Sequence, residues 1–367
     1  MKRKCVWIFL LIGVVVLMTG CEKKKTKKEE TKNTTGYDLP VSQNEKKEAK
    51  ADIIQRLKIK NSSFETGNKT IEGVLTATSS TSKKMNAFLL KVKEKKSCEL
   101  ILYQREDDES VIRSKYTFDG KNMYLLYSRG IWNQDKKPVV ANETKTRMES
   151  WSYTKKGWFI YKLCAPKSTE EVDTISMIRV KPWNQKYLKL ANEYMNPIGY
   201  KGNNLFLINW DSKNLKSLDY NGLYEFLYRV KHGKYWTYKE GTNHINAEKF
   251  ENLMTTYLPV TKSQVRKYAD YSETKRAYSW VELACGNYSP TAFGMSIPEI
   301  TKVEKNKDGT TKLTIDAVCE MLGNDTLMTH EVTVRFGENG SVKYLGNKII
   351  KGNDNIPEYK MRVGGES

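Results

Sequence analysis

Residues 71–180 break into short runs rich in Ile, Val, Tyr, Phe and Trp, each closed by turn chemistry, and this punctuation constrains the fold more than any other feature. The runs 71–77, 87–92, 99–104, 111–118, 123–127, 151–153, 158–163 and 175–180 read as strands. Asp119-Gly120 precedes Tyr124-Leu125-Leu126-Tyr127, and Thr154-Lys155-Lys156-Gly157 separates two aromatic runs, so both mark tight hairpins. No helical pattern of useful length lies between the runs. Crossover connections are therefore not expected, and the sheet is expected to be antiparallel throughout.

Helical spacing governs the flanks. Ser42 with Glu45 forms a capping box ahead of Ala49, Ile53 and Leu57, which predicts a helix over 43–58 that docks by a narrow apolar stripe. A short helix is expected over 187–194, a strand over 205–210, and a helix over 220–230 with Leu223, Phe226, Leu227 and Val230 on one face. Asn246 caps a further helix that ends at Pro259, and Thr261 with Gln264 starts another. Four strands follow, at 299–305, 312–321, 329–336 and 342–350, separated by Lys307-Asp308-Gly309, Gly323-Asn324-Asp325 and Gly337-Glu338-Asn339-Gly340. The expected class is α+β. An antiparallel β-meander lobe at 42–183, headed by its helix, precedes a helix-plus-four-strand meander lobe at 184–351, a cone-like arrangement with a curved sheet on helices. A loose polar tail is expected at 352–367.

The chain opens differently. Lys2, Arg3 and Lys4 precede an apolar run of about 13 residues, too short for a membrane helix of about 20 but suited to a secretory signal over 1–20. The run ends in Leu17-Met18-Thr19-Gly20-Cys21, which resembles the lipobox of bacterial lipoproteins. That resemblance implies cleavage between Gly20 and Cys21, with a diacylglyceryl group (carrying, for example, palmitate) on the Cys21 sulfur. It also implies a place on the outer, extracellular face of the bacterial cytoplasmic membrane. Two acyl chains anchor stably. Residues 21–41 then read as the lipidated tether, because 22–35 are charged and lack apolar periodicity.

Gly36-Tyr37-Asp38-Leu39-Pro40, the stretch from Ser279-Trp280-Val281-Glu282 to Pro290, and the segment from Gly294 to Met321 resemble an uncharacterised lipoprotein family of Gram-positive anaerobes, a domain of unknown function. The resemblance covers most of the chain after Cys21 and implies location and extent without an activity.

Chemistry is sparse. Cys5 leaves with the signal and Cys21 takes the lipid, so Cys98, Cys164, Cys285 and Cys319 remain; an even number permits two disulfides in three pairings, with buried thiols as the competing reading. The simplest pairing joins Cys98 to Cys164 and Cys285 to Cys319. His232, His244 and His330 are the only histidines, none at metalloprotease spacing, and each reads as structural. There is no GxSxG, SxxK or glycine-rich phosphate loop. Cys285 with His330 is the one pairing that would meet the minimum for a thiol nucleophile, against a disulfide with Cys319 or a buried thiol. Asp316 and Glu320 flank Cys319 on a strand and read as a solvent-facing alternation. The Trp residues are spread evenly, as core and hairpin aromatics are. No catalytic residue, metal site or cofactor is assigned.

Lys and Arg number 62 against 43 acids, a net charge of +19, which outside a membrane favours anionic lipid or cell-wall polymer and, in that compartment, no nucleic acid. The expected role is a non-catalytic binding or interaction module at the cell surface. The alternatives are a solute-capturing lipoprotein of a transport system and a cell-wall hydrolase.

Overall fold

A computed structural model describes residues 36–59, 74–166, 174–236, 243–283, 291–338 and 340–363. The signal, Gly20, Cys21, most of the tether and Cys285 lie outside the described residues.

The first helix, α1 (Gln43–Lys58), forms as its spacing predicts. Ser42 Oγ accepts from the Glu45 N–H at 3.2 Å, and Glu45 Oε2 accepts from the Ser42 N–H at 2.9 Å, so the capping box is complete. Ala49, Ile53 and Leu57 are buried. Ser42→Ala removes one of the two reciprocal bonds and is expected to cost about 1 kcal/mol, read as a shift of the urea midpoint at unchanged slope.

The next elements are β1 (Leu75–Thr76), α2 (Ser79–Lys93), β2 (Cys98–Arg105), β3 (Val111–Phe118), β4 (Met123–Trp132), β5 (Pro138–Tyr153), β6 (Trp158–Leu163) and β7 (Ile175–Arg179). They build a seven-stranded sheet in the order β1-β7-β6-β5-β4-β3-β2. Both predicted hairpins are present, joining β3 to β4 and β5 to β6.

Two expectations are corrected here. Residues 87–92 are helical, not a strand. Thr78 Oγ1 caps α2 by accepting from the Thr81 N–H at 3.3 Å, and Met85, Phe88, Leu89 and Val92 make its buried stripe. An apolar run this short reads as strand or helix equally well, and the Ser/Thr-rich first turns hid the cap. The sheet is also not wholly antiparallel, because β1 runs parallel to β7 at one edge.

Side chains alternate across the sheet. On β2 and β3, Leu100, Leu102, Tyr116 and Phe118 face the core that α2 closes. Tyr103 and Val111 instead cluster with Ile53 and Leu57 of α1, on the other face. Gly130 of β4 lets α1 approach: a Cβ there would lie 2.0 Å from Ile53 Cγ2. The acids of α1 also turn to the sheet. Arg113, fully buried, meets Asp52 at 2.8 Å and Glu48 at 2.7 Å, and Lys145 meets Glu45 at 2.7 Å. Gly36 and Leu39 pair by backbone with Arg147 and Lys145 of β5, so the chain is already docked before α1 begins.

The second half contains α3 (Gln185–Leu190) with a π-helical turn at Ala191–Met195, α4 (Tyr220–His232), β8 (His244–Asn246), α5 (Ala247–Tyr257), α6 (Lys262–Tyr268), β9 (Tyr271–Ser272) and β10 (Ala277–Ser279). The four closing strands are β11 (Ile297–Lys305), β12 (Thr311–Cys319), β13 (Asn324–Phe336) and β14 (Val342–Lys351), in sequential antiparallel order. Strands β8, β10 and β9 form a small separate sheet. The capping residues Asn246 and Thr261 act as predicted. The fold is α+β, with helices packed on curved sheets.

Residues 205–210 are not a strand. They form a largely buried loop that meets β14 through a backbone bridge, Trp210 to Asn347, and through side-chain bonds of Asn347 and Asn209. Of the tail expected to be loose, residues 352–363 are described, and they dock on the body. Tyr359 donates to Asp219 Oδ2 at 2.5 Å, and the buried Arg362 guanidinium donates to the Gly202 and Gly222 carbonyls and to Glu225. Burial, opposed by Arg362, raises the Glu225 pKa.

The two larger sheets meet through a small apolar cluster. Trp158 and Met177 come from the seven-stranded sheet, Val318 from the four-stranded one, and Trp183 and Leu188 from the connection between them.

Candidate functional site

Beside that cluster lies a cleft of about 420 Å³. Its chemistry begins with two carboxylates that strand register forces together. Glu299 of β11 stands directly opposite Asp316 of β12. Like charges facing across a ladder are destabilising, and both residues are buried.

The seven-stranded sheet supplies the compensation. Lys156, in the β5–β6 turn, places Nζ 2.9 Å from Asp316 Oδ2 and 3.1 Å from Glu299 Oε2. It also donates to the Asp325 carbonyl. Arg179, at the end of β7, sets Nη1 3.0 Å from Glu299 Oε1, and Trp158 Nε1 donates to Glu299 Oε2 at 3.2 Å. Thr329 Oγ1 donates to Asp316 Oδ1 at 2.6 Å. Two cations and two anions thus bind the sheets to each other.

Aromatic rings enclose the guanidinium. Arg179 Cζ lies 4.4 Å from the Trp183 ring centre and 5.3 Å from that of Trp158, and the two rings pack edge to face at 5.7 Å. Arg179 Nε donates to the Lys181 carbonyl at 2.9 Å. Burial pulls the Arg179 pKa down against the attraction of Glu299.

Gly157 sets the rim. It has φ +93°, and a Cβ there would lie 2.1 Å from Lys181 Cβ. Its carbonyl accepts from the Val180 N–H at 2.9 Å and the Lys181 N–H at 3.1 Å. With no side chain in the way, the β5–β6 turn lies flat against the chain leaving β7, and Lys155 and Lys181 share the rim of one opening. Both are exposed, and among the described residues neither makes an ion pair. Asn184, Tyr187 and Thr301 complete the mouth. Among the described residues the lining carries four cations, Lys155, Lys156, Arg179 and Lys181, against one carboxylate, Glu299.

The residues singled out from sequence fare differently. Asp316 is not part of a solvent-facing alternation; the β5–β6 turn covers it. Glu320 Oε1 accepts from the Met177 N–H at 3.2 Å, a second polar tie between the sheets. Cys98, Cys164 and Cys319 are free thiols. Cys98 opens β2 and Cys164 follows β6, and the two are not bonded to each other. Cys98 Sγ sits 3.8 Å from the Phe88 carbonyl, and Cys319 Sγ donates to the Ala292 carbonyl at 3.1 Å.

His330 lies deep in the four-stranded core, with Nε2 3.0 Å from the Tyr200 hydroxyl and Nδ1 2.6 Å from Asn347 Oδ1. Both ring nitrogens are therefore engaged. His232 packs its ring 4.2 Å from that of Tyr228 near the end of α4, and His244 Nε2 lies 2.9 Å from Lys275 Nζ. Among the described residues, no group of three or more His, Cys, Asp or Glu could hold a metal, and no helix is long and apolar enough to cross a membrane.

Sequence reasoning missed Lys156, Arg179, Glu299 and the pairing of Trp158 with Trp183. Lys155-Lys156 carried only a turn signal, and the two Trp residues are separated by strands that the fold brings side by side.

No curated protein and no solved structure matches this chain. The chain matches a family of unknown function, DUF6070, over residues 23–362, which spans both sheets and every element of the cleft, and it belongs to that family.

Proposed function

We propose that this chain is a lipid-anchored protein on the outer face of a bacterial cytoplasmic membrane, acting without catalysis as a binding module whose ligand enters the cleft at the junction of the two sheets. The observation that carries the binding role is the charge of that cleft, in which Lys156 and Arg179 are committed to Glu299 and Asp316 while Lys155 and Lys181 stand at the rim with no acid beside them among the described residues. The anchor rests on Leu17-Met18-Thr19-Gly20-Cys21 and the charged stretch after it. A hydrolase reading gains nothing from His330, whose ring nitrogens are both occupied inside the core.

Two measurements test the parts separately. Intact mass of the membrane-extracted protein is expected to show a chain that starts at Cys21 and carries a diacylglyceryl group, with Cys21→Ala left unlipidated. Retention of residues 1–20 without lipid overturns the anchor. A thermal-shift screen against a broad solute set is expected to find ligands that raise the melting temperature with dose, as RT ln(1 + [L]/Kd) requires. A flat response to every solute overturns the cleft as a small-ligand site.

A further inference from the structure

We infer that the cleft takes a phosphoryl group, held between the ammonium groups of Lys155 and Lys181 above the Arg179–Glu299 pair. The inference rests on the binding-module reading and narrows it to one ligand chemistry.

Charge sign comes first. Among the described residues four cations line the cleft against a single carboxylate, and two of the four are paired with Glu299 and Asp316. The surplus belongs to Lys155 and Lys181, which reach the opening from different chain segments, one from the β5–β6 turn and one from the chain after β7. The contact at Gly157 keeps those segments together.

Donor type then separates phosphoryl from carboxylate ligands. Carboxylates are best read by the flat, two-pronged face of an arginine. Among the described residues the only arginine lining this cleft donates Nε to the Lys181 carbonyl, holds Nη1 3.0 Å from Glu299 Oε1 in an ion pair without a hydrogen bond, and sets its Cζ over the Trp183 ring. Each of its two-pronged faces therefore has one nitrogen already held beside a protein oxygen. The free donors are ammonium groups, which act as compact point charges with freely turning N–H bonds and suit the several oxygens of a tetrahedral phosphoryl group. Asn184, whose Oδ1 caps α3, adds a side-chain amide NH2 to the lining. The group could arrive as free phosphate or as the phosphodiester of a glycerol-phosphate head group or polymer.

Titration calorimetry on the full chain in non-ionic detergent tests this at constant ionic strength. The probes are inorganic phosphate, glycerophosphoglycerol and, as carboxylate control, acetate. The variants are Lys155→Gln/Lys181→Gln at the cleft and Lys84→Gln/Lys91→Gln on α2, which changes net charge equally. Saturable binding of inorganic phosphate or glycerophosphoglycerol is expected, weakened on the order of tenfold or more by the cleft double variant through loss of charge-assisted bonds and unchanged by the α2 pair. Preference for the ion identifies free phosphate as the source, and preference for the diester identifies head group or polymer. Equal weakening by both double variants overturns the inference in favour of diffuse attraction to a basic protein. Acetate binding as well as phosphate overturns it in favour of a general anion site. If neither phosphate compound binds but another solute does, with loss in the cleft variant, the phosphoryl assignment fails and the binding module stands. If no solute of any class binds, both fail.

Discussion

Glu299→Ala is expected to destabilise the folded chain by about 3–5 kcal/mol, the usual cost of stranding the partner of a buried ion pair. The Glu299 and Arg179 side chains are each 7% exposed. Removing the carboxylate leaves the Arg179 guanidinium with the Lys181 carbonyl and two indole faces, and leaves Trp158 Nε1 without its acceptor. Lys156 keeps Asp316, so the loss falls mainly on the arginine. Urea unfolding measures it. The companion variant is Glu299→Met with Arg179→Met, which removes both charges and leaves apolar bulk; it is expected to recover most of the loss, because the desolvation cost goes with the charges. A cost below about 1 kcal/mol for Glu299→Ala would mean that the pair behaves as a solvent-screened surface bridge and does not join the sheets.

The same cluster shows where the sequence stops being legible. Capping chemistry was readable because it is local: Ser42 with Glu45, Asn246, and Thr261 with Gln264 announce helices without reference to anything distant, and all three sit at helix starts. Turn chemistry was readable for the same reason, and it placed both hairpins and the four closing strands. Asp316 was misread because alternation along a strand is interpreted on the assumption that one face is wet. On β12, Leu313, Ile315 and Ala317 fill one face as expected. Val318 and Asp316 lie on the other, which the β5–β6 turn covers. Nothing near residue 316 encodes a turn 160 residues earlier. The α1 acids were likewise legible as charges and not as contacts, since Arg113, Lys115 and Lys145 come from strands that only the sheet order brings beneath the helix. The error at α2 was different in kind. Its signal was present locally, in Thr78 and the spacing of Met85, Phe88, Leu89 and Val92, and a dense apolar run at 88–90 obscured it.

Acidification provides the second large effect, through His330. Asn347 Nδ2 donates to the Phe206 carbonyl at 3.3 Å and the Ile208 carbonyl at 2.8 Å, which turns its Oδ1 toward His330. His330 Nδ1 must therefore be the protonated nitrogen, and Nε2 accepts from the Tyr200 hydroxyl. Adding a second proton would place a full charge in a site with no solvent exposure. Burial pushes the His330 pKa down to about 4 from an ordinary 6.5, although Asn347 and the charge of Asp316 pull the other way. The sign follows from proton uptake. Between pH 6.5 and about 4 the unfolded chain binds a proton that the folded chain refuses, so stability falls as pH falls, and the penalty is complete below about 4. The shift corresponds to roughly 3 kcal/mol lost across that window. His330→Asn cannot titrate. It should be less stable at pH 7, because packing and the Tyr200 bond are lost, but its stability should decline less steeply from pH 7 to pH 4 than that of the wild type. Other titrating groups contribute to both curves and cancel in the difference. Parallel curves would mean that His330 takes up its proton in the folded state as readily as in the unfolded one, which requires water to reach a ring enclosed by Tyr200, Phe206 and Asn347.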